Sequence, residues 1–195
     1  MKKVLVMLSG GVESTALVHY GVSNEYEVET VHACFDNKTA YEGKAARKIA
    51  KMYNVPYSQI NIDASEFNDK YPTTQRADHP WWGAALLVSA PSGNYDEVWF
   101  GSYLGETPPG APGPAGVMLI LQSAGCMNTR VTSPLYLKSK KEQWDMLSSD
   151  VQSCIVSCIK QYKDGKTCWE AIDNELRKVC QKCKEWKKWN IVKDA

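Results

Sequence analysis

The fold of this chain is decided by the segment Val4-Leu5-Val6-Met7-Leu8-Ser9-Gly10-Gly11-Val12-Glu13-Ser14-Thr15. Its first five residues form a short apolar run, which is typical of a buried parallel strand. The residues after Thr15 have the pattern of a helix. Glycines let a backbone come close to a ligand, and the free N–H groups of a first helical turn point at it. The segment therefore predicts a phosphate-binding loop.

The side chains of this loop suit an anion and a metal ion. Ser9, Ser14 and Thr15 add hydroxyl donors, and the Glu13 carboxylate suits Mg²⁺, which prefers oxygen ligands. We expect a Cβ branch at Gly10 to occupy the space of the phosphate and to resist a positive φ, so that Gly10→Val would abolish ATP use with little loss of fold. The loop is neither GxxxxGK[ST], because no such lysine follows, nor GxGxxG. The alternative is that Ser-Gly-Gly is merely a turn.

Composition predicts one main domain. The chain has 195 residues, 44% hydrophobic content and a net charge of +1, which gives no general attraction to nucleic acid or membrane. No apolar run reaches the ~18 residues of a membrane span, and no signal peptide precedes the first strand. We therefore predict a cytoplasmic protein without a membrane partner.

Apolar runs alternate with helical patterns, which predicts an α/β fold: an open parallel sheet with helices on both faces. Ligands bind beyond the carboxyl ends of such strands, so segments 9–15, 34–39 and 101–107 should surround one crevice. The predicted strands are 3–8, 28–35, 57–62, 97–101 and 129–133, and the predicted helices are 14–23, 41–53, 80–90, 116–123 and 139–149.

Two long connections join these elements, 64–79 and the Pro- and Gly-rich stretch 102–116. Loops of this length in a compact domain are usually functional or disordered. Because proline stiffens the second connection, we interpret it as a loop that covers the substrate.

Five of the seven cysteines lie near the C-terminus. Cys180 and Cys183 form a CxxC pair, a spacing that lets two thiolates hold one tetrahedral Zn²⁺. Cys158 and Cys168 are the natural second pair, with Cys154 in reserve. The alternatives are a redox CxxC or unpaired core thiols. Cys34 and Cys126 are interpreted as small buried side chains.

The loop resembles the SGGxDS loop of the PP-loop ATP pyrophosphatases, with Glu13 where that family usually has Asp. Together with the C-terminal cysteines, it makes the chain similar to the 7-cyano-7-deazaguanine synthases within that superfamily. Further matches are the Phe-Asp after the second strand, the strand that closes on Gly101, the Pro-Leu…Lys that reaches Lys140, and the Ser-Cys at Cys158.

The chain also departs from the family where the substrate should bind. Residues 80–83 read Pro-Trp-Trp-Gly where the family has Pro-x-Arg-Asn, and Glu106 stands where the family has Asp. The Tyr-Pro-Asp-Cys-Arg segment is missing, and the cysteine spacing is stretched between Cys168 and Cys180. ATP chemistry is therefore better supported than the identity of the substrate.

The resemblance implies an enzyme, a C–N ligase that turns ATP into AMP and pyrophosphate. Its partners would be ATP, ammonia and a deazapurine acid such as 7-carboxy-7-deazaguanine, and its cofactors Mg²⁺ and structural Zn²⁺. A homodimer remains open. The implied nucleotide-binding residues are Leu8, Ser9, Gly10, Gly11, Val12, Glu13, Ser14, Thr15, Phe35, Asp36 and Gly101.

The implied catalytic residues are Glu13 and Lys140, where Lys140 either contacts phosphate or is a solvated helix lysine. We expect the substrate to stack near Trp81 or Trp82 and to bind Arg76 or Glu106 at its polar edge, and the alternative is that both tryptophans are core residues of the third predicted helix. The implied domains are 1–150 for nucleotide binding and 151–195 for zinc.

Two other functions remain open. One is a tRNA-modifying PP-loop enzyme of the thiolation type, in which the cysteines transfer sulfur or hold an iron–sulfur cluster and the basic C-terminal tail contacts RNA. The other is a nucleotide-binding relative without catalysis. We favour a tail that packs on the sheet domain, and we expect no nucleic-acid partner.

Overall fold

The computed structural model describes residues 1–35, 40–62, 94–103, 130–156 and 188. Within them lies a five-stranded sheet in the order β3-β2-β1-β4-β5, in which every pairing is parallel. The strands are β1 (Lys3–Met7), β2 (Glu27–Phe35), β3 (Tyr57–Ile62), β4 (Glu97–Phe100) and β5 (Arg130–Thr132). The predicted parallel sheet is confirmed, and each predicted strand has its counterpart.

Four helices belong to the described residues: α1 (Val12–Ser23), α2 (Ala40–Met52), α3 (Lys140–Asp145) and α4 (Ser149–Cys154). The first two match the predicted helices to within two residues. The single helix predicted over 139–149 is wrong in extent, because two short helices occupy this region. The first ends at Asp145 with Met146 as its C-cap, and Ser148 caps the second by accepting a hydrogen bond from the Val151 N–H.

One hydrophobic cluster joins all four helices to one face of the sheet. Val4, Val6 and Leu8 face α1 and α2 in this cluster, and Val151 of α4 belongs to it as well. Alternate residues of the sheet form a second cluster on the opposite face, built from Leu5, Val31, Val98, Phe100 and Val131. Because β1 lies mid-sheet, it is buried on both faces, which explains its unbroken apolar run.

Some predicted elements cannot be compared with the structure. The helices predicted at 80–90 and 116–123, and both long connections for most of their length, lie outside the described residues. In the described part of the chain, no helix is both long and apolar enough to span a bilayer.

A polar cluster at the edge of the second face predicts a stability change at high pH. The Tyr95 hydroxyl donates to Glu29, whose other oxygen lies 2.7 Å from the Lys3 ammonium. Burial, aided by the Glu29 hydrogen bond, raises the pKa of Tyr95 from 10.0 to about 12. A raised phenol pKa stabilises the fold fully below the unfolded value, and this contribution is lost as pH rises from 10.0 to about 12.

Tyr95→Phe should therefore lower the free energy of unfolding at pH 8, and the difference from the parent should shrink by pH 11. Urea titrations at the two pH values measure this difference. At low pH the relevant group is Glu29, whose pKa is lowered by its hydrogen bonds with Lys3 and then Tyr95. The stability that the ionised Glu29 contributes is therefore lost as pH falls below 4.5. An equal loss at pH 8 and pH 11 would contradict the assigned role of the phenol.

Candidate functional site

The predicted phosphate loop connects β1 to α1 at the point where the strand order reverses. β1 lies between β2 and β4, so the chain runs outward in both directions from it. In open parallel sheets, ligands bind at the carboxyl ends of the strands beside this reversal. The loop, residues 8–11, and the end of β4 at Phe100 lie at that edge.

The backbone conformation of the loop brings the chain from β1 into the start of α1. Gly10 has a φ of +82°, a left-handed conformation that glycine adopts without strain. Gly11 is the N-cap of α1 in an extended conformation, and it supplies no side-chain cap. The first N–H groups of a helix have no intrahelical partners, and they attract negative charge. This end of α1 is therefore suited to a phosphate.

A Cβ at Gly10 would not enter the phosphate space, so that prediction was wrong. It would point at α2, 2.9 Å from the Glu42 carbonyl oxygen and 3.0 Å from the Ala45 Cβ. The glycine is required because the loop passes against the α2 backbone. It is needed as well for the positive φ.

The three loop hydroxyls do not play equal parts. Thr15 is fully buried, and its hydroxyl donates to the Gly11 carbonyl at 2.6 Å. Ser14 is also buried, and its hydroxyl accepts from the Ser9 N–H at 3.1 Å. Ser9 is exposed, with its oxygen 3.0 Å from that of Ser14. Thr15 and Ser14 thus hold the loop in shape, whereas Ser9 is open to a ligand.

Gly101, at the end of β4, lets α1 approach the sheet. A Cβ there would lie 2.6 Å from the Ser14 backbone nitrogen and 2.8 Å from the Glu13 Cβ. These are contacts with the first turn of α1, so only glycine fits unless the helix moves. Gly101 therefore positions the helix end that would bind phosphate.

Glu13 and Lys140, the two predicted catalytic residues, meet at this edge. The Lys140 ammonium lies 2.7 Å from Glu13 Oε1, and the two side chains are 1% and 12% exposed. The ammonium also lies 5.4 Å from the centre of the Tyr103 ring. The alternative of a solvated lysine is wrong, because the side chain is buried in the crevice. A buried ion pair of this kind places a cation and a carboxylate beside the phosphate loop.

The start of α3 holds Lys140 in place. Ser139 and Glu142 form a reciprocal capping box at the helix N-terminus. The Gln143 side chain donates to the carbonyls of Ser102 and Leu135, at 3.4 and 3.3 Å. These bonds tie α3 to the end of β4 and to the segment after β5.

Several polar residues of the crevice were missed by the sequence analysis. The Ser102 hydroxyl is buried and has no hydrogen-bond partner among the described residues, although such groups are usually paired. It follows Gly101 directly, so its place after β4 was a usable signal. Gln143 lies one helical turn after Lys140, which was a second signal. His32 had no signal, since a single histidine in a strand is usually a core residue.

Other predicted site residues cannot be placed. Phe35 is the last residue of β2, whereas Asp36, Arg76, Trp82 and Glu106 lie outside the described residues. The same holds for Cys126 and for the four predicted zinc ligands Cys158, Cys168, Cys180 and Cys183. Among the described residues, no group of three or more His, Cys, Asp or Glu side chains could hold a metal.

Two cysteines are described, and both are buried free thiols. Cys34, on β2, is confirmed as a small buried side chain. Cys154 ends α4, where its sulfur lies 3.5 Å from that of Met52 and donates to the Asp150 carbonyl. It therefore packs on α2.

The segment that contains the phosphate loop matches a known protein family. Residues 3–79 match the family described as "Queuosine biosynthesis protein QueC". This segment contains β1 to β3 and the phosphate loop, and the resemblance predicted from the sequence is confirmed over it.

The similar curated proteins carry one name. A 7-cyano-7-deazaguanine synthase of Sulfolobus acidocaldarius is 38% identical over 63 residues, which is 32% of this chain and 14% of that protein. A protein of the same name from Thermoplasma acidophilum is 31% identical over 62 residues, 32% of this chain and 26% of that protein. The aligned segment thus spans about a quarter or less of these relatives.

Solved structures with low sequence identity share the fold. The U34-tRNA thiolase NcsA of Methanococcus maripaludis, solved with its [4Fe-4S] cluster, has a TM-score of 0.55 at 12% identity, covering 97% of this chain and 71% of that chain. A predicted subunit of tRNA methyltransferase from Methanocaldococcus jannaschii has a TM-score of 0.53 at 16% identity, with 75% of each chain covered. This chain therefore shares its fold with these two proteins.

Proposed function

We propose that this protein uses ATP to convert 7-carboxy-7-deazaguanine, or a close relative, and ammonia into the nitrile 7-cyano-7-deazaguanine, with release of AMP and pyrophosphate. The observation that carries the proposal is the phosphate loop, which lies inside the segment that matches QueC, together with the buried ion pair that Glu13 of this loop forms with Lys140. The match to the curated synthases supports the substrate class.

The proposed reaction fits a site that binds phosphate and balances charge. A carboxylate has oxide as its leaving group, and transfer of that oxygen to the α-phosphate of ATP makes AMP the leaving group. Ammonia then displaces AMP to give an amide. Activation of the amide oxygen by a second ATP allows loss of AMP and two protons, which leaves the nitrile. Pyrophosphate is released at each activation.

The loop would provide most of the positioning. The N–H groups at the start of α1 and the Ser9 hydroxyl would bind the phosphates, and Lys140 would stabilise negative charge that develops on them. Glu13 suits Mg²⁺ because carboxylate oxygens are its preferred protein ligands, often one or two beside the substrate phosphates. Bound there, Mg²⁺ would neutralise phosphate charge. Lys140 would hold the Glu13 carboxylate in place when the metal ion is not bound.

A product assay tests the proposal. The protein is incubated with ATP, Mg²⁺, ammonium and the deazapurine acid, and nucleotides are separated by chromatography. We expect AMP, pyrophosphate and the nitrile, with AMP formation dependent on the acid. ADP in place of AMP would overturn the PP-loop assignment. Tight ATP binding without AMP would favour a relative without catalysis.

The substrate contacts remain proposals on the aromatic and charged residues of the long connections. A flat heterocycle stacked on Trp82 would gain aromatic geometry beyond apolar burial. Arg76 or Glu106 would bind its polar edge. Mass spectrometry of small molecules that copurify with the protein addresses the identity of this ligand directly.

A structural Zn²⁺ in the C-terminal segment, held by Cys158, Cys168, Cys180 and Cys183, is also part of the proposal. Four thiolates make a closed tetrahedral site with no open position for substrate. Val156 lies two residues before Cys158, and its N–H donates to the Gly10 carbonyl at 3.0 Å. The segment thus begins in contact with the phosphate loop.

Cys183→Ser should lower the zinc content from about one ion per chain and should destabilise the segment, since structural zinc supplies folding free energy on the order of 10 kcal/mol in small modules. Metal analysis and limited proteolysis measure the two effects. Cys34→Ala, at a buried thiol on β2, is the control and should keep its zinc. Full zinc in Cys183→Ser would show that the ligands are misassigned, and iron in the parent would favour the tRNA-modifying alternative.

A further inference from the structure

We propose that His32 is a positioning residue for the phosphate loop, acting through the backbone carbonyl of Leu8. This inference rests on the proposed function, because it concerns the same loop. His32 lies on β2 and is 2% exposed, and its Nδ1 lies 3.0 Å from the backbone oxygen of Leu8. Leu8 is the first residue of the loop, directly after the end of β1 at Met7.

The hydrogen bond from His32 to Leu8 lies where the pairing of β1 with β2 ends. The Leu8 N–H donates to the Val31 carbonyl at 2.8 Å, which continues the parallel pairing of β1 with β2 by one residue. The carbonyl of Leu8 leaves that pairing. Among the described residues, the group that donates to this carbonyl is the His32 imidazole and not a backbone N–H of β2. The imidazole thus holds the peptide plane at which the chain turns from the sheet into the loop.

The chemistry of the contact fixes the histidine tautomer. A carbonyl oxygen can only accept a hydrogen bond, so Nδ1 carries the proton. A side chain that replaces His32 in this hydrogen bond must therefore carry an N–H that is as close to its own Cα as Nδ1 is in histidine.

Gly43 of α2 leaves room for the His32 ring. A Cβ at Gly43 would lie 3.1 Å from His32 Cδ2 and 3.3 Å from Nε2. Glycine is disfavoured in the interior of a helix, so its presence there needs a packing reason. The same part of α2 contacts Gly10 through the Glu42 carbonyl. His32 and the loop are therefore packed against the same turn of α2.

A shift of the Leu8 carbonyl would move the groups that would bind phosphate. The Ser9 N–H, next in the chain, is tied to the Ser14 hydroxyl in the first turn of α1. A rotated peptide at Leu8 would change the direction in which the loop leaves the sheet. Misplacement by about 1 Å can cost on the order of 100-fold in rate.

Three substitutions separate positioning from packing. Asparagine places an amide N–H where Nδ1 lies, glutamine places it near Nε2, and leucine has none. We expect His32→Asn to keep ATP affinity and the rate of AMP formation within about threefold of the parent. We expect His32→Gln and His32→Leu to lose at least tenfold in kcat or ATP affinity, at similar thermal stability for the two amides.

The control is His19→Asn, since this half-buried ring lies on α1 with its Nδ1 3.3 Å from the Tyr53 hydroxyl. It should change neither quantity. Equal behaviour of His32→Asn and His32→Gln would overturn the inference. ATP affinity is measured by calorimetry without the deazapurine acid, so the ranking of the variants holds even if AMP formation fails. A failed product assay with the ranking intact would therefore count against the proposed reaction alone.

Discussion

Replacing Lys140 with methionine should reduce AMP formation by at least about 100-fold, the scale of losing one preorganised charge contact in an active site. Methionine has a similar length and no charge, so it fills the space in the crevice. It also leaves the Glu13 carboxylate, 12% exposed, without its cation. Breaking one partner of a buried pair costs about 3–5 kcal/mol, so the variant should be less stable as well.

The double variant Glu13→Gln with Lys140→Met separates the two effects. It removes both charges, and neutral replacement of a buried pair is often close to neutral for stability. We expect thermal unfolding to return toward the parent value, while AMP formation stays low. Recovery of activity together with stability would show that the pair is structural and that Lys140 does not act on ATP.

Lys141→Met is the matched control, because the neighbouring lysine lies on the exposed side of α3. Its ammonium pairs with Asp145 one turn later, and its side chain is 41% exposed. Exposed pairs at this spacing are worth about 0.3–0.5 kcal/mol. Lys141→Met should therefore leave activity unchanged. An equal loss in both lysine variants would mean that the substitutions act through α3 as a whole.

The fold could be predicted from the sequence because its signals are local. Buried parallel strands show as short apolar runs, and a strand followed by Gly-Gly and a helix predicts the turn between them. The break between α3 and α4 was missed, although Ser148 resembles Ser139 as an N-cap. Two short helices within one periodic segment are hard to separate when the apolar pattern continues across the break.

The candidate site was predicted in its parts but not in its contacts. The resemblance indicated Lys140 and Glu13 separately, and their ion pair depends on how α3 packs against α1. The direction of a Cβ at Gly10 depends on α2, which the loop sequence does not contain. The inward hydroxyl of Thr15 and the His32 bond to Leu8 likewise follow from the packing.

Gly10→Val should abolish ATP use and should also destabilise the fold, by about 2–5 kcal/mol. An ordinary residue in the left-handed region costs roughly 1–2 kcal/mol, and a β-branched residue is a genuine outlier there. The added side chain must also displace the α2 backbone, since a Cβ would lie 2.9 Å from the Glu42 carbonyl, and overpacking typically costs about 1–3 kcal/mol more. Chemical denaturation and ATP calorimetry measure the two losses.

Gly11→Ala is the control for backbone strain, because Gly11 has a φ of −83°, which any residue adopts. Alanine is a weaker N-cap than glycine, so a small loss of roughly 0.5 kcal/mol is expected from that exchange. A much larger loss in Gly10→Val would locate the strain in the positive φ and the contact with α2. If Gly10→Val folded with parental stability and lost only ATP binding, its side chain would have to lie in the phosphate space, and the packing of the loop on α2 would be wrong.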